Sequence, residues 1–151
     1  MHAATKDVNP DILSLLLEHD VDVDSRDGND ATSLHWASVR GTLSVGQYLL
    51  DHGADINARD KDGCTPMYVG MYYSLKGVEF AQMLLECGAV VDAQDNDGRT
   101  SLHRAVGMGK IEGARLLLEQ CRCQRARQIR RDRFPVHDET GYFRTTFSVW
   151  C

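Results

Sequence analysis

Apolar residues recur along the chain in i, i+3, i+4 sets: Ile12, Leu15 and Leu16; Val45, Tyr48 and Leu49; Phe80, Met83 and Leu84. That spacing places each set on one face of a helix. The equivalent set further on is Gly113, Leu116 and Leu117. Glycine there gives up a buried side chain worth roughly 1.5–3 kcal/mol and about 1 kcal/mol of helix propensity. This part of the molecule is therefore expected to be the loosest. Gly53 and Gly88 follow Leu-Leu helices and suit the left-handed position that ends a helix, with Asp20 a poorer occupant of the same place. Thr65-Pro66 predicts the N-cap and first position of another helix, and Asn9-Pro10 reads the same way. Gly63 and Gly98 allow positive φ in tight turns, where Asp30 is a weaker substitute.

These elements repeat. Thr32-Ser33-Leu34-His35, Thr65-Pro66-Met67-Tyr68 and Thr100-Ser101-Leu102-His103 start 33 and 35 residues apart. The run from Leu49 to Ala58 (LLDHGADINA) aligns with the run from Leu84 to Ala93 (LLECGAVVDA), again at an offset of 35. The run from Leu16 to Asp24 lies 33 before the first of these. A period of this length means stacked supersecondary units, none of which buries its apolar face alone; about three or more are needed for a stable core.

The repeated residues resemble the ankyrin repeat, whose pattern is Asp-x-x-Gly-x-Thr-Pro-Leu-His, a Leu-Leu helix, then Gly-Ala-Asp-x-Asn-Ala. Asp60 to Pro66 and Asp95 to Thr100 match the opening, and the likeness covers about residues 1–120. The resemblance implies an all-α solenoid of helix–turn–helix units with β-turn, hairpin-like connections. The units fall at about 1–26, 27–59, 60–94 and 95–120, followed by a non-repeat tail at 121–151.

The departures from the pattern carry expectations of their own. Met1 stands where Leu34 stands, so the first unit begins partway into its first helix. The third unit carries a two-residue expansion around Met71 to Gly77, and Tyr68 replaces its motif histidine, so that unit is expected to lack the usual polar anchor. In the last unit Cys121 stands where glycine is expected, and helix-compatible residues continue from Glu119 to Arg133, before Pro135. Tyr142 to Trp150 reads as a short strand or a disordered end. With both ends unlike polar caps, the chain is expected to be a fragment or alternative product of a longer array.

Composition narrows the class of work. The chain has 151 residues, 42% apolar and 26% charged, which fits one soluble domain. The richest apolar stretch, Ile12 to Leu17, is far short of the ~18 residues that span a bilayer. The N-terminal residues lack a secretory core, and five scattered cysteines suit a reducing cytoplasmic or nuclear setting. Residues 1–120 hold 10 Lys+Arg against 19 Asp+Glu, while residues 121–151 hold seven Arg against three acids. An acidic body with a basic tail disfavours nonspecific attraction of the body to nucleic acid or anionic membrane.

No constellation points to catalysis, a cofactor or a metal. His35 and His103 recur at the repeat period beside Thr32 and Thr100, which favours a structural device over a general base, since an active site is needed only once. Cys121, Cys123, His137 and Cys151 lack zinc-ligand spacing. Asp20-x-Asp22-x-Asp24 is followed by Ser25 and fails as a calcium loop; the acids near the turns, such as Asp60 and Asp95, read as turn formers.

The resemblance implies a non-enzymatic protein–protein interaction module, a scaffold or adaptor. Partners would be gripped by the turn tips and the ends of the first helices. The tips are Lys61, Asp62, Cys64, Asn96, Asp97 and Arg99. The helix ends are Val39 and Arg40, Tyr72 and Tyr73, and Gly107 and Met108. Adjacent helical residues do not share a face, so one of Tyr72 and Tyr73 is expected to be exposed. The alternative is nucleic-acid binding or nuclear targeting through Arg122, Arg125, Arg127, Arg130, Arg131 and Arg133, a run without the interleaved aromatics that stack bases.

Overall fold

A computed structural model describes His19 and residues 21–133, with side chains through Gln124. The expectations for Asn9-Pro10, for the Ile12 set, for Asp20 and for Tyr142 to Trp150 lie outside the described residues, as do those for His137 and Cys151.

Among the described residues six helices form three antiparallel pairs: α1 (Ser33–Arg40) with α2 (Leu43–Asp51), α3 (Pro66–Tyr73) with α4 (Gly77–Glu86), and α5 (Ser101–Gly107) with α6 (Ile111–Arg133). The first helices α1, α3 and α5 stack in one layer and the second helices α2, α4 and α6 in another. No strand forms among the described residues; a single antiparallel bridge joins Gln94 and Thr100 across a turn. The architecture is the all-α helix–turn–helix solenoid that the repeat implied.

Each first helix starts on a threonine held extended, with ψ of 171° at Thr32, 164° at Thr65 and 169° at Thr100. Pro66 takes the first helical position, where a missing N–H costs nothing. Gly53 and Gly88 adopt the left-handed conformation after α2 and α4, and Asp30 does so in the first described turn at φ 59°. At Cys121 nothing ends the helix, and α6 runs on through it to Arg133.

The core runs between the layers. Leu34, Leu49, Met67, Phe80, Leu84 and Leu117 are fully buried. Large and small residues complement each other across units: the Phe80 ring packs where a Cβ on Gly46 would sit, and Ser38 occupies the space over Gly70. Gly113 follows the same rule, which corrects the reading of it as a lost side chain. A Cβ there would meet Met71 Sδ at 3.0 Å and Cε at 3.3 Å, so the preceding unit fills the volume that glycine leaves.

Candidate functional site

The turns are built alike. Asp27 Oδ1 accepts the N–H groups of Asn29 and Ala31 at 2.8 and 3.1 Å. Asp60 Oδ1 accepts those of Asp62 and Cys64 at 3.0 and 2.8 Å, and Asp95 Oδ1 those of Asp97 and Arg99 at the same distances. Asp60 and Asp95 are turn formers, as expected, and Asp27 acts in the same way. Successive tips are then tied together: the Lys61 N–H donates to Asn29 O at 3.0 Å, and the Asn96 N–H to Asp62 O at 2.9 Å. Lys61 Nζ also donates to Asn29 Oδ1. The tips therefore stand at a fixed spacing set by the stack.

A polar side chain near the start of each described first helix ties its unit inward or onward. The Nε2 of His35 lies 3.0 Å from the Cys64 carbonyl, which can only accept, so Nε2 carries the proton. Nδ1 is then the acceptor for the Thr32 N–H at 3.1 Å and the Thr32 hydroxyl at 3.0 Å. Burial holds the His35 pKa below its usual value, partly offset by the Cys64 carbonyl and by Asp60. His103 repeats the local half of this arrangement, its Nδ1 3.1 Å from the Thr100 N and 2.9 Å from Oγ1.

Tyr68 corrects the expectation that the third unit lacks an anchor. Its longer side chain reaches past the backbone, and its hydroxyl donates to Asp95 Oδ2 of the next unit. Arg104 Nε donates to the same hydroxyl oxygen at 2.8 Å. Burial and the Asp95 carboxylate push the phenol up to about 12. Burial alone would raise the Asp95 carboxyl, but the Tyr68 hydroxyl and the Arg99 and Asp97 amides outweigh it and hold it below the usual range. The Arg104 guanidinium lies over the rings of Tyr68 and Tyr72, 5.2 and 4.6 Å from their centroids.

Between the turn tips and the first helices lie three clefts that follow the repeat. One of about 420 Å³ is walled by His35, Trp36, Val39, Lys61, Val69 and Tyr73. The next, about 280 Å³, is walled by Asp62, Tyr72, Tyr73, Asn96, Asp97 and Arg104. The third, about 370 Å³, is walled by Tyr72, Arg99, His103, Arg104, Gly107 and Met108. Of the tip and helix-end residues singled out from the sequence, only Arg40 lies away from these clefts, in a notch on the opposite side of Val39 and Tyr73. Tyr73 is 65% exposed and Tyr72 half-buried, with their rings edge-to-face at 4.4 Å. Cys64 borders the second cleft, and burial and the carboxylates of Asp60, Asp95 and Asp62 push its thiol up to about 12. A raised pKa disfavours the thiolate, the nucleophilic form.

Among the cleft residues missed in the sequence are Trp36, Val69 and Arg104. They occupy one register position, directly after His35, Tyr68 and His103. The signal was a site that changes chemical type in every unit, Trp, Val and Arg, while the residue after it stays small. Trp36 is fixed by its Nε1–H donating to Asp27 Oδ2 at 2.9 Å. Of the arginine run, Arg122 is exposed on α6, and the side chains from Arg125 onward lie outside the described residues.

Among the described residues no group of three or more His, Cys, Asp or Glu is placed to hold a metal ion. No described helix is long and apolar enough to cross a membrane. No curated protein matches the sequence. The family model for ankyrin repeats, in three copies, matches residues 1–60 and 60–127. With the turns, the threonine-capped first helices and the stacked pairs in the register that motif demands, the chain belongs to the ankyrin-repeat family.

Proposed function

We propose that this protein is a non-enzymatic scaffold or adaptor whose protein partner lies along the three clefts between the turn tips and the first helices. Ankyrin repeats are generally protein–protein interaction modules and typically non-enzymatic. The observation that carries the reading is the clefts themselves. They recur in step with the units, and the side chains that wall them (Trp36, Tyr72, Tyr73, Arg104) are of the types that dominate binding energy. The walls are also held in place, Trp36 by Asp27 and Arg104 by Tyr68, which lowers the ordering cost of association. Cytoplasm or nucleus is the proposed compartment, where the free thiols of Cys64 and Cys87 persist.

The test is affinity capture with the full chain, followed by calorimetry with the captured partner. Tyr73→Ala is expected to weaken binding by about 2 kcal/mol without lowering the melting temperature. Unchanged affinity in Tyr73→Ala and in Asp62→Lys would remove the clefts from the account. The competing reading uses the arginines between 122 and 133, which α6 carries on one continuous helix. Replacing those six arginines with glutamine is expected to spare partner binding; a loss of binding together with a steep salt dependence would favour nucleic acid instead.

A further inference from the structure

The two-residue expansion of the third unit ends in a short loop, Ser74 to Lys76, between α3 and α4. This loop is pinned. Ser74 is buried, its N–H donates to Gly70 O at 3.1 Å, and its Oγ accepts the Lys76 N–H at 3.1 Å. From the next unit Lys110 Nζ donates to Ser74 O at 2.8 Å. From the preceding unit Gly41 lets the loop approach so closely that a Cβ there would meet Ser74 Oγ at 2.6 Å and Lys76 Cβ at 2.8 Å. Yet Leu75, between these anchored neighbours, is fully exposed. A single exposed leucine is ordinary, but this one shares a notch of about 660 Å³ with Val39, Leu43 and the exposed Tyr73. Arg40 and Lys76 stand on its walls, and no carboxylate does. On a body where acids outnumber bases, the notch is a local island of positive charge beside a rigidly held apolar anchor.

We propose that this notch is a second docking site, distinct from the clefts at the turn tips, and that its occupant is a protein segment presenting a large apolar residue flanked by a carboxylate. The apolar residue packs against Leu75, Leu43 and Tyr73, and the carboxylate faces Arg40 and Lys76. Complementary charge selects this occupant over a basic segment, and the pinned loop presents Leu75 with its backbone already ordered.

Panning a phage-displayed library of random peptides against the full chain tests this. Selected peptides are expected to pair a large apolar residue with a nearby Asp or Glu. They should bind at least about tenfold more weakly to Leu75→Ser, an exposed position whose change leaves the melting temperature unaltered. Arg40→Glu with Lys76→Glu is expected to turn the preference towards peptides in which Lys or Arg replaces the acid. The proposal is overturned if no peptide is enriched, if the peptides lack acids, or if Leu75→Ser binds them as well as the parent. It is overturned equally if only Asp62→Lys at the turn tips abolishes binding, a result that would leave the cleft reading standing. Leu75-dependent sedimentation with phosphatidylserine vesicles, or Leu75-dependent self-association in the ultracentrifuge, would assign the notch to lipid or to a second copy and likewise overturn it.

Discussion

The joint between the α1–α2 and α3–α4 pairs and the joint between the α3–α4 and α5–α6 pairs differ in chemistry at the same register position. At the first, the neutral ring of His35 bridges Thr32 to the Cys64 carbonyl, a contact between a side chain and backbone. At the second, the hydroxyl of Tyr68 meets the carboxylate of Asp95 and is itself held by Arg104, a contact between side chains that carries charge. The stack fixes where a polar hand must reach and leaves its chemistry open, provided the target changes with it. The exchange has a consequence for the surface. Arg104, tethered by Tyr68, presents its guanidinium to the second and third clefts. At the first joint the equivalent position is Val69, an apolar wall with no charge to tether.

The largest test of this contrast compares the two turn acids. Asp60 and Asp95 each accept two backbone N–H groups, but Asp95 also accepts from the buried Tyr68 hydroxyl. Asp95→Ala is therefore expected to lower unfolding free energy by about 3 kcal/mol, and Asp60→Ala by about 1.5 kcal/mol, in urea titrations. Equal losses would mean that the Tyr68 contact contributes nothing. Tyr68→Phe is next, at about 2 kcal/mol, because it leaves a buried carboxylate oxygen without its donor. It should also release Arg104, so its effect on partner binding is expected to exceed that of an equally destabilising core change such as Leu117→Ala brought to the same melting temperature.

How much of this was legible in the sequence follows from the range of each contact. The capping threonines, Pro66, the left-handed Gly53 and Asp30, and the turn acids act within a few residues, so local chemistry announced them. The reach of Tyr68 to Asp95 and the seating of Met71 over Gly113 cross from one unit to the next. Substituting a motif residue looks like a loss until the partner unit is in place, which is why both positions look like deficits in the sequence alone. The cleft walls were half legible: tip and helix-end positions came from the family resemblance, whereas Trp36, Val69 and Arg104 required reading one register position down all the units.

The two joints should also separate by pH. Because burial lowers the folded His35 pKa below the unfolded value of 6.5, the contribution of this group is full above 6.5 and is lost as pH falls through the lowered folded value. Protonation would place an N–H on Nδ1, facing the Thr32 donors. The charged groups that bear on the ring are Asp60 and Asp27, which favour its protonation, and Arg26, which opposes it. The Asp95 carboxyl, lowered from 3.8, holds its stabilisation until pH drops below that value. His35→Gln keeps an acceptor and a donor at the third helical position and is expected to flatten the melting temperature between about pH 7.5 and 5.5. Tyr68→Phe should leave the slope in that window unchanged and alter the pH dependence only in stronger acid. A flat parent profile over the same window would show that the His35 site accepts a proton without cost.

The smallest expected effect uses the third unit as a template for its neighbours. Pro66 begins α3, whereas Ser33 and Ser101 begin α1 and α5 with buried hydroxyls that find no partner. The preceding threonines are already in the extended conformation that proline demands, and the first helical N–H has no acceptor within the helix to lose. Ser33→Pro and Ser101→Pro are each expected to stabilise by about 0.5–1 kcal/mol, by restricting the unfolded chain and removing an unsatisfied hydroxyl. The sites are far apart in sequence and share no polar contact, so the gains should add in calorimetry. Because Ser33 lies at the His35 joint and Ser101 at the end of the Tyr68–Arg104 joint, unequal gains would locate the difference in how tightly each joint closes around a ring. A loss at Ser33 alone would mean that the histidine joint is packed too closely for the template to transfer, and that the exchange of His for Tyr changed the backbone fit as well as the polar contact.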